Sequence, residues 1–559
     1  MFMPYRQPTL SVYSSLYDIL IPEDHPLRVL RKSIDFSDVV ELLKKNYSME
    51  FGAWSESPDL LLRMLVLKSK YRLSDRDLCD RSRTDMAFKF FLGLNPEDDL
   101  IEASTLSKFR TKRLKEINLL DILIEKSVKF GISQKVLDTK DPIIVDGTHV
   151  KSRFNQITPV EYLAGLAKEI RKMLYRSDDE AKWKRVFPEK VKTNSLDDMI
   201  EYCRSLIYVI RMEPKLVYNE PVQTRVNFLE EKLDDIRILM EESMKEAMAQ
   251  EAKKKARAAA QQKQVPQAGN ETIPKSESHS KEATAVKASV QDKPMETKQL
   301  AKRYSRDEDA RTGHKTKDTS FFGYKLHLGM SYSGIVVSAV TTSGQVNEGE
   351  QLPKLVEKAR LNGMDAKTVI GDTAYSGKDN LKLANQKDNN NNRNFALVSK
   401  LNPKISAASL NQERDGFSYN KDAGMFVCPM GHMAVKKIRN RTAAHNKNPK
   451  EVYYFDGSQC VGCPYDGKCH KRGKKYRTYA ITIPSELHAE QQKFQETEEF
   501  KAAMAHRYKI EAKNNDLKHQ YGLEAAYSSG LFAMQIQGAV GIYTANMMRI
   551  MRLVKEKQM

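Results

Sequence analysis

At 559 residues, with 40% hydrophobic content and a formal net charge of +19, the chain is long enough for several cores and basic enough to favour a polyanionic partner. No apolar run of roughly 18 residues is present, which excludes a helical membrane span. Six cysteines are too few for a disulfide scaffold. Residues 1–26 also lack the basic and apolar segments of a secretory signal, so the expectation is an unprocessed cytoplasmic protein.

In chain order, residues 16–130 read as all helix. Ser57-Pro58 opens a helix that is apolar on most faces, and shorter helices follow at 74–79, 85–92 and 105–114. The last begins at a Ser-Thr cap and carries Lys108, Arg110 and Arg113. It reads either as a recognition helix for DNA or as a solvated basic face. Residues 142–145 read as a short β-strand that delivers Asp146 at its end. Thr158-Pro159-Val160-Glu161 then starts a helical stretch reaching about Ala260. Within it, Leu229, Leu233, Ile236 and Met240 form a seam that suits a helical hairpin or a short coiled-coil contact. Trp183, beside Lys182, Lys184 and Arg185, either stacks on a displaced base or packs in a core.

From 261 to 304 the composition is that of a flexible linker. Strands return at 321–328 and 334–341, joined across Tyr332-Ser333-Gly334. A helix at 351–362 closed by Gly363 leads to a strand at 368–371, and Asp372 follows it. Further strands are expected at 395–399, 452–455 and 476–483, and the pattern is helical from 484 onward. The basic excess is uneven along this path. Between Met430 and Arg477 there are 12 Lys or Arg against 3 Asp or Glu, so +9 of the +19 falls within 48 residues. Such concentration suits phosphate binding.

Three carboxylates stand in strong local frames. Asp146 and Asp372 each follow an apolar β run, where α/β sheets place their sites. Glu511 lies on a helix with Arg507 about 40° away and Lys518 within about 20°. Read alone, that trio is an i,i+4 ion pair worth ~0.3–0.5 kcal/mol. Read with the aspartates, it is an acid flanked by two phosphate-holding bases. Carboxylates ~4 Å apart repel by about 4 kcal/mol per pair at an effective dielectric of 20. A divalent cation offsets that repulsion, and hard oxygen ligands suit magnesium or manganese, two ions of which serve in-line phosphoryl transfer.

Asp146-Gly147-Thr148, Asp372-Thr373-Ala374-Tyr375 and Arg507, Glu511 and Lys518 in their spacing together resemble the DDE transposases of bacterial insertion sequences. The resemblance is to the branch with a Tyr-(2)-Arg-(3)-Glu-(6)-Lys signature. The stretches Asp307 to Lys315, Phe321 to His327 and Ala103 to Arg110 fit the same branch. The signature tyrosine would fall at position 504, which is Met504. The resemblance implies a ribonuclease H-like α/β core, a mixed sheet with helices interrupted by insertions and preceded by an all-α N-terminal domain. It implies Asp146, Asp372 and Glu511 as the catalytic metal ligands, with Arg507 and Lys518 on DNA phosphates. Tyr375 would either stack near the scissile step or pack against the next helix. The activity implied is cleavage of transposon ends and their joining to target DNA, by a homodimer or larger assembly. The expected place is the cytoplasm, with nucleoid association when DNA is bound. Other readings are a metal-dependent nuclease without strand transfer and a catalytically silent DNA-binding descendant.

Cys428, Cys460, Cys463 and Cys469 include one Cys-x-x-Cys pair and fit a tetrahedral structural zinc site, with His432 and His470 as substitutes. The alternative is four reduced thiols. The expected organisation is a helical DNA-binding domain at 16–130 and a core in three parts, 138–154, 305–400 and 480–559. A helical insertion at 155–260, the linker at 261–304 and a zinc-ribbon-like insertion at 415–478 separate those parts.

Overall fold

Ile143–Lys151 forms one nine-residue strand, β1, at the centre of the mixed sheet in the computed structural model. The structure describes residues 1–5, 11–175, 183, 185–191, 193–262, 304–314, 319–387, 391–401, 416–420, 422–440, 450–465, 469, 474–482 and 485–559. They divide into two units, Met1–Arg153 with Asp307–Met559, and Phe154–Arg306.

In the first unit, β2 (Arg311–His314), β3 (Ser320–Met330), β4 (Val336–Ser343), β5 (Thr368–Ile370) and β6 (Ala396–Val398) join β1. β3 lies antiparallel to β1, and both β2 and β4 pair antiparallel with β3. β5 lies parallel to β1 and β6 parallel to β5. The path β4-β3-β1-β5-β6 is the ribonuclease H-like sheet that the family resemblance implies. One boundary needs correction. Asp146 is the fourth residue of β1 and not its last, because β3 pairs with β1 from Ile144 to Lys151 and keeps the backbone extended.

The N-terminal helices share this unit's core. The helix Pro58–Tyr71 buries Leu61, Met64, Leu65 and Leu67, and the cluster they join continues into β1, β3, β4 and the long helix Leu531–Gln558. Local signals explain the helix starts. Ser74 accepts from the Asp77 amide, and Asp85 accepts from Ala87 and Phe88. Asn546 ties three elements together. Its amide donates to Ser127 Oγ at 2.9 Å and to the Val336 carbonyl at 2.8 Å, and it accepts from the Val336 amide at 2.9 Å.

A smaller aromatic core also lies in this unit. β7 (Ser418–Asn420) pairs with β8 (Met425–Val427), while β9 (Lys436–Asn440), β10 (Lys450–Asp456) and β11 (Tyr476–Thr482) form a separate sheet in the order β11-β10-β9. Phe417, Phe426, Tyr453, Phe455 and Tyr479 pack between them.

The second unit is helical, built on Pro159–Tyr175, Leu196–Met212 and Glu220–Gln262. Its first helix opens with a reciprocal cap. The Thr158 amide donates to Glu161 and the Glu161 amide to the Thr158 hydroxyl. Leu229, Leu233 and Ile236 are buried in this unit's own core with Met240 packed beside them, so the seam serves a helical bundle. Trp183 is buried and stacks on Phe187 at 5.5 Å, which leaves no face for a base. Residues 263–303 of the expected linker, together with Lys182, Lys184 and His470, lie outside the described residues. Among the described residues, no helix is long and apolar enough to cross a membrane.

Candidate active site

Parallel register brings the two aspartates together. Ile144 of β1 faces Ile370 of β5, and two residues further along the chain from each stand Asp146, still within β1, and Asp372, just past β5. Neighbouring strands lie about 4.8 Å apart, so the carboxyl groups become lateral neighbours. Asp372 caps the short turn Thr373–Tyr375, accepting from the Ala374 amide at 2.9 Å. Asn514, on the helix Tyr508–Gln520, donates its amide to Asp146 Oδ2 at 2.8 Å.

A third carboxyl joins them. Oxygen atoms of Asp146, Glu348 and Asp372 lie within 4.8 Å of one another. Glu348 sits between β4 and the 3-10 turn Gly349–Gln351. Close packing fixes its place. A Cβ on Gly349 would come within 2.4 Å of the Ala374 carbonyl, so this turn lies directly on the one that follows Asp372. Asn380 clamps the two turns, donating to the carbonyls of Gly349 at 2.8 Å and Tyr375 at 3.0 Å.

The electrostatics match the geometry. Asp146 is pushed up from 3.8 to about 7, first by burial and then by the charges of Glu348 and Asp372. Burial and Asp372 also raise Glu348, against the opposing pull of Lys325. Lys325 Nζ lies 3.2 Å from Glu348 Oε1 and donates to the Val346 carbonyl at 3.1 Å. Three charged carboxylates at this spacing repel by roughly 3–4 kcal/mol per pair at an effective dielectric of 20, more than one ammonium offsets. The oxygen donors therefore fit a hard divalent cation. Two buried polar atoms point the same way, since Asn514 Oδ1 and the Tyr375 hydroxyl have no hydrogen-bond partner among the described residues.

Glu511 is outside this group of three. Its carboxylate pairs with Arg507 Nη2 at 2.5 Å, and its side chain is 56% exposed. The residue three further along its helix, Asn514, is the one that reaches Asp146. Three residues of helix rise about 4.5 Å, so Glu511 stands one turn beyond the cluster. Lys518 Nζ lies 3.5 Å from His149 Nδ1, on β1 again, and the charge of Arg507 reaches Asp146. The helix thus turns its Asn514–Lys518 face toward β1. Met504 ends the preceding helix, Glu498–Met504, and is partly buried against the core.

Tyr375, Arg110 and Arg113 are each engaged by other parts of the protein. Tyr375 is fully buried, and its ring packs against Gly371, where a Cβ would lie 2.7 Å away. Arg110 forms a bidentate pair with Asp75, at 2.5 and 3.0 Å, and Lys68 shares that carboxylate. Arg113 lies over the Tyr47 ring and donates to the Asn46 carbonyl. Both arginines are half-buried, and Lys108 alone of the three is exposed. Both lie in the wide helical turn Phe109–Arg113 that follows Ala103–Lys108.

Cys428, Cys460, Cys463, Cys469 and His432 line one cavity beside Phe417. Arg477 Nε donates to Cys469 Sγ at 3.3 Å. Among the described residues, the carboxylates are the one group of three metal-binding side chains that close to within 4.8 Å. Glu348 was missed by sequence reasoning. Its signal was an acidic turn, Asn347-Glu348-Gly349-Glu350, shortly after the end of β4 at Ser343. Which acid turns inward is not legible there. Glu350 takes the other course and accepts from Asn347 at 2.9 Å.

Two family models match the chain. One is described as Transposase domain (DUF772) and covers residues 15–112. The other is Transposase DDE domain and covers residues 283–542, which includes Glu348, Asp372 and Glu511, while Asp146 lies outside both. No curated protein and no solved structure matches the chain.

Proposed function

We propose that this chain, a member of the DDE transposases of insertion sequences, cleaves the DNA ends of its own element and joins the freed ends to target DNA. The chemistry is phosphodiester hydrolysis followed by transesterification. The observation that carries this reading is the convergence of Asp146 and Asp372, 226 residues apart in sequence, on one acidic centre in the sheet. When bound there, two magnesium or manganese ions would activate a water or a 3′-hydroxyl and steady the leaving oxygen.

The chain's own side chains divide the remaining tasks. Asp146 and Asp372 supply fixed oxygen ligands, and Asn514 holds the Asp146 carboxyl in place. Glu511, released from Arg507, completes the catalytic acids from one helical turn away. Arg507 and Lys518 then hold DNA phosphates on either side. The substrates are double-stranded transposon ends and target DNA. Two ends must be brought together, so the working form is a homodimer or larger. It acts in the cytoplasm and associates with the nucleoid when bound to DNA. In the cysteine-rich insert, Cys428, Cys460, Cys463 and Cys469 hold one structural zinc. Four thiolates and a zinc change the local charge by about −2, which leaves the insert strongly basic.

The test is incubation of the protein with DNA carrying its own element ends and magnesium, beside an Asp372→Asn variant. Cleavage is expected to fall at least about 10³-fold in the variant. Equal cleavage by both proteins overturns the catalytic assignment. Cut ends without joined product favour a nuclease that lacks strand transfer. Salt-sensitive DNA binding with no cleavage by either protein favours a silent descendant.

A further inference from the structure

We infer that the enzyme free of DNA binds its first divalent ion through Asp146, Glu348 and Asp372, with Glu348 a metal ligand in its own right and Glu511 dispensable for that step. The inference rests on the transposase reading of the same centre.

A plain Lys325–Glu348 ion pair is the competing explanation, and three features exceed what it requires. First, β1 is opened for this carboxyl group. A Cβ at Gly147 would lie 2.7–2.8 Å from Cδ, Cγ and Oε1 of Glu348, so any other residue there would push the carboxyl away from Asp146. An ion pair with Lys325 alone has no need of that approach. Second, the turn carrying Glu348 is locked onto the turn carrying Asp372 by the Gly349–Ala374 contact and the Asn380 clamp. The structure thus holds like charges together, where a free acidic turn would relax toward solvent as Glu350 does.

Third, two buried polar groups beside the centre lack partners among the described residues. Asn514 is only 8% exposed and anchors its amide on Asp146, yet its Oδ1 is unsatisfied among the described residues. Tyr375 is fully buried, its hydroxyl is likewise unsatisfied, and the charges of Glu348, Asp146 and Asp372 all bear on it. Buried polar groups are nearly always satisfied. A magnesium ion keeps several of its waters when bound by carboxylates, and those waters offer the partners both groups lack. Glu511, paired with Arg507 and more than half exposed, has none of these constraints. It is suited to join when a DNA phosphate competes for Arg507.

The test is Mn²⁺ binding to the full-length, zinc-replete chain without DNA, read as free Mn²⁺ by electron paramagnetic resonance. Wild type is compared with Glu348→Gln, Glu348→Asp, Asp372→Asn and Glu511→Gln, and metal-free melting curves check folding. End cleavage is measured in parallel. Loss of a partner one shell removed from a metal already weakens binding 10–100-fold, so Glu348→Gln is expected to weaken it about tenfold or more, as Asp372→Asn does. Glu348→Asp should recover part of the loss. Glu511→Gln should bind within about twofold of wild type while losing cleavage. Wild-type affinity in Glu348→Gln beside a weakened Asp372→Asn overturns the inference and leaves the transposase reading intact. So does a loss in Glu511→Gln equal to that in Asp372→Asn. Wild-type affinity in Asp372→Asn removes the metal from this centre altogether, and both readings fail together.

Discussion

The acidic centre and the cysteine-rich insert are both candidate metal sites, and they are built in opposite ways. Asp146 is fixed inside a nine-residue strand, Asp372 by a parallel register and a cap, and Glu348 by two interlocked turns. The backbone forces the three acids together against their own repulsion. The four cysteines come from segments at the ends of β8 and β10 and before β11. They share a cavity but do not approach one another as the acids do. A sheet can impose proximity before the metal arrives, whereas loops leave the metal to impose it. The first site should therefore keep its shape without metal, and the second should not.

The largest effect that would sharpen this contrast is expected in the insert. Replacing Cys460 and Cys463 by Ser should lower bound zinc from about one per chain to none and expose the aromatic core around Phe426 and Tyr479. Zinc content and limited proteolysis measure this. The core containing β1 should resist the protease as before. Equal loss of both regions would break the comparison, because the insert would then not depend on its own metal.

Next in size is Gly147→Ala. Its new methyl group meets Glu348 at 2.7 Å, so the carboxyl must move. A displacement on the order of 1 Å costs about 10²-fold in rate, which end cleavage should show with little change in melting temperature. Unchanged cleavage would mean that the centre is not pre-formed as tightly as the register implies.

The smallest effect concerns pH in the absence of metal. The folded protein raises Asp146 from 3.8 to about 7. Below pH 4 the group is protonated in both folded and unfolded chains, and the penalty is absent. As pH rises through about 7 the folded state must ionise a carboxyl held beside two others, so stability falls. Asp146→Asn should remove that fall and stabilise the metal-free protein above pH 7 by on the order of 2–4 kcal/mol. Urea denaturation at pH 5 and pH 8 in chelator measures it. A wild type that grows more stable across this range would contradict the clustering of unscreened charge.

Much of the core was legible in the sequence because its signals are local. Apolar β runs announced β1 and β5 and the acids that follow them. Ser74, Asp85 and the Thr158–Glu161 pair announced helix starts through bonds within one turn. What stayed hidden depends on segments far apart in sequence. Arg110 read either as a DNA contact or as a solvated base, and its pairing with Asp75, 35 residues earlier, leaves no local signal. Tyr375 stayed open between stacking and packing, because the carboxylates that bear on it come from segments far apart in sequence.

The sequence by itself determined the strands that carry the two aspartates and the basic, cysteine-bearing insert, since strand periodicity, turn residues and composition are properties of short stretches, while the mixed sheet was what the family resemblance implied. Only the tertiary structure decided that Glu348 joins Asp146 and Asp372 while Glu511 pairs with Arg507 one turn away. That choice depends on a missing side chain at Gly147 and on the packing of one turn against another. Neither leaves a mark in the local pattern around the acids themselves.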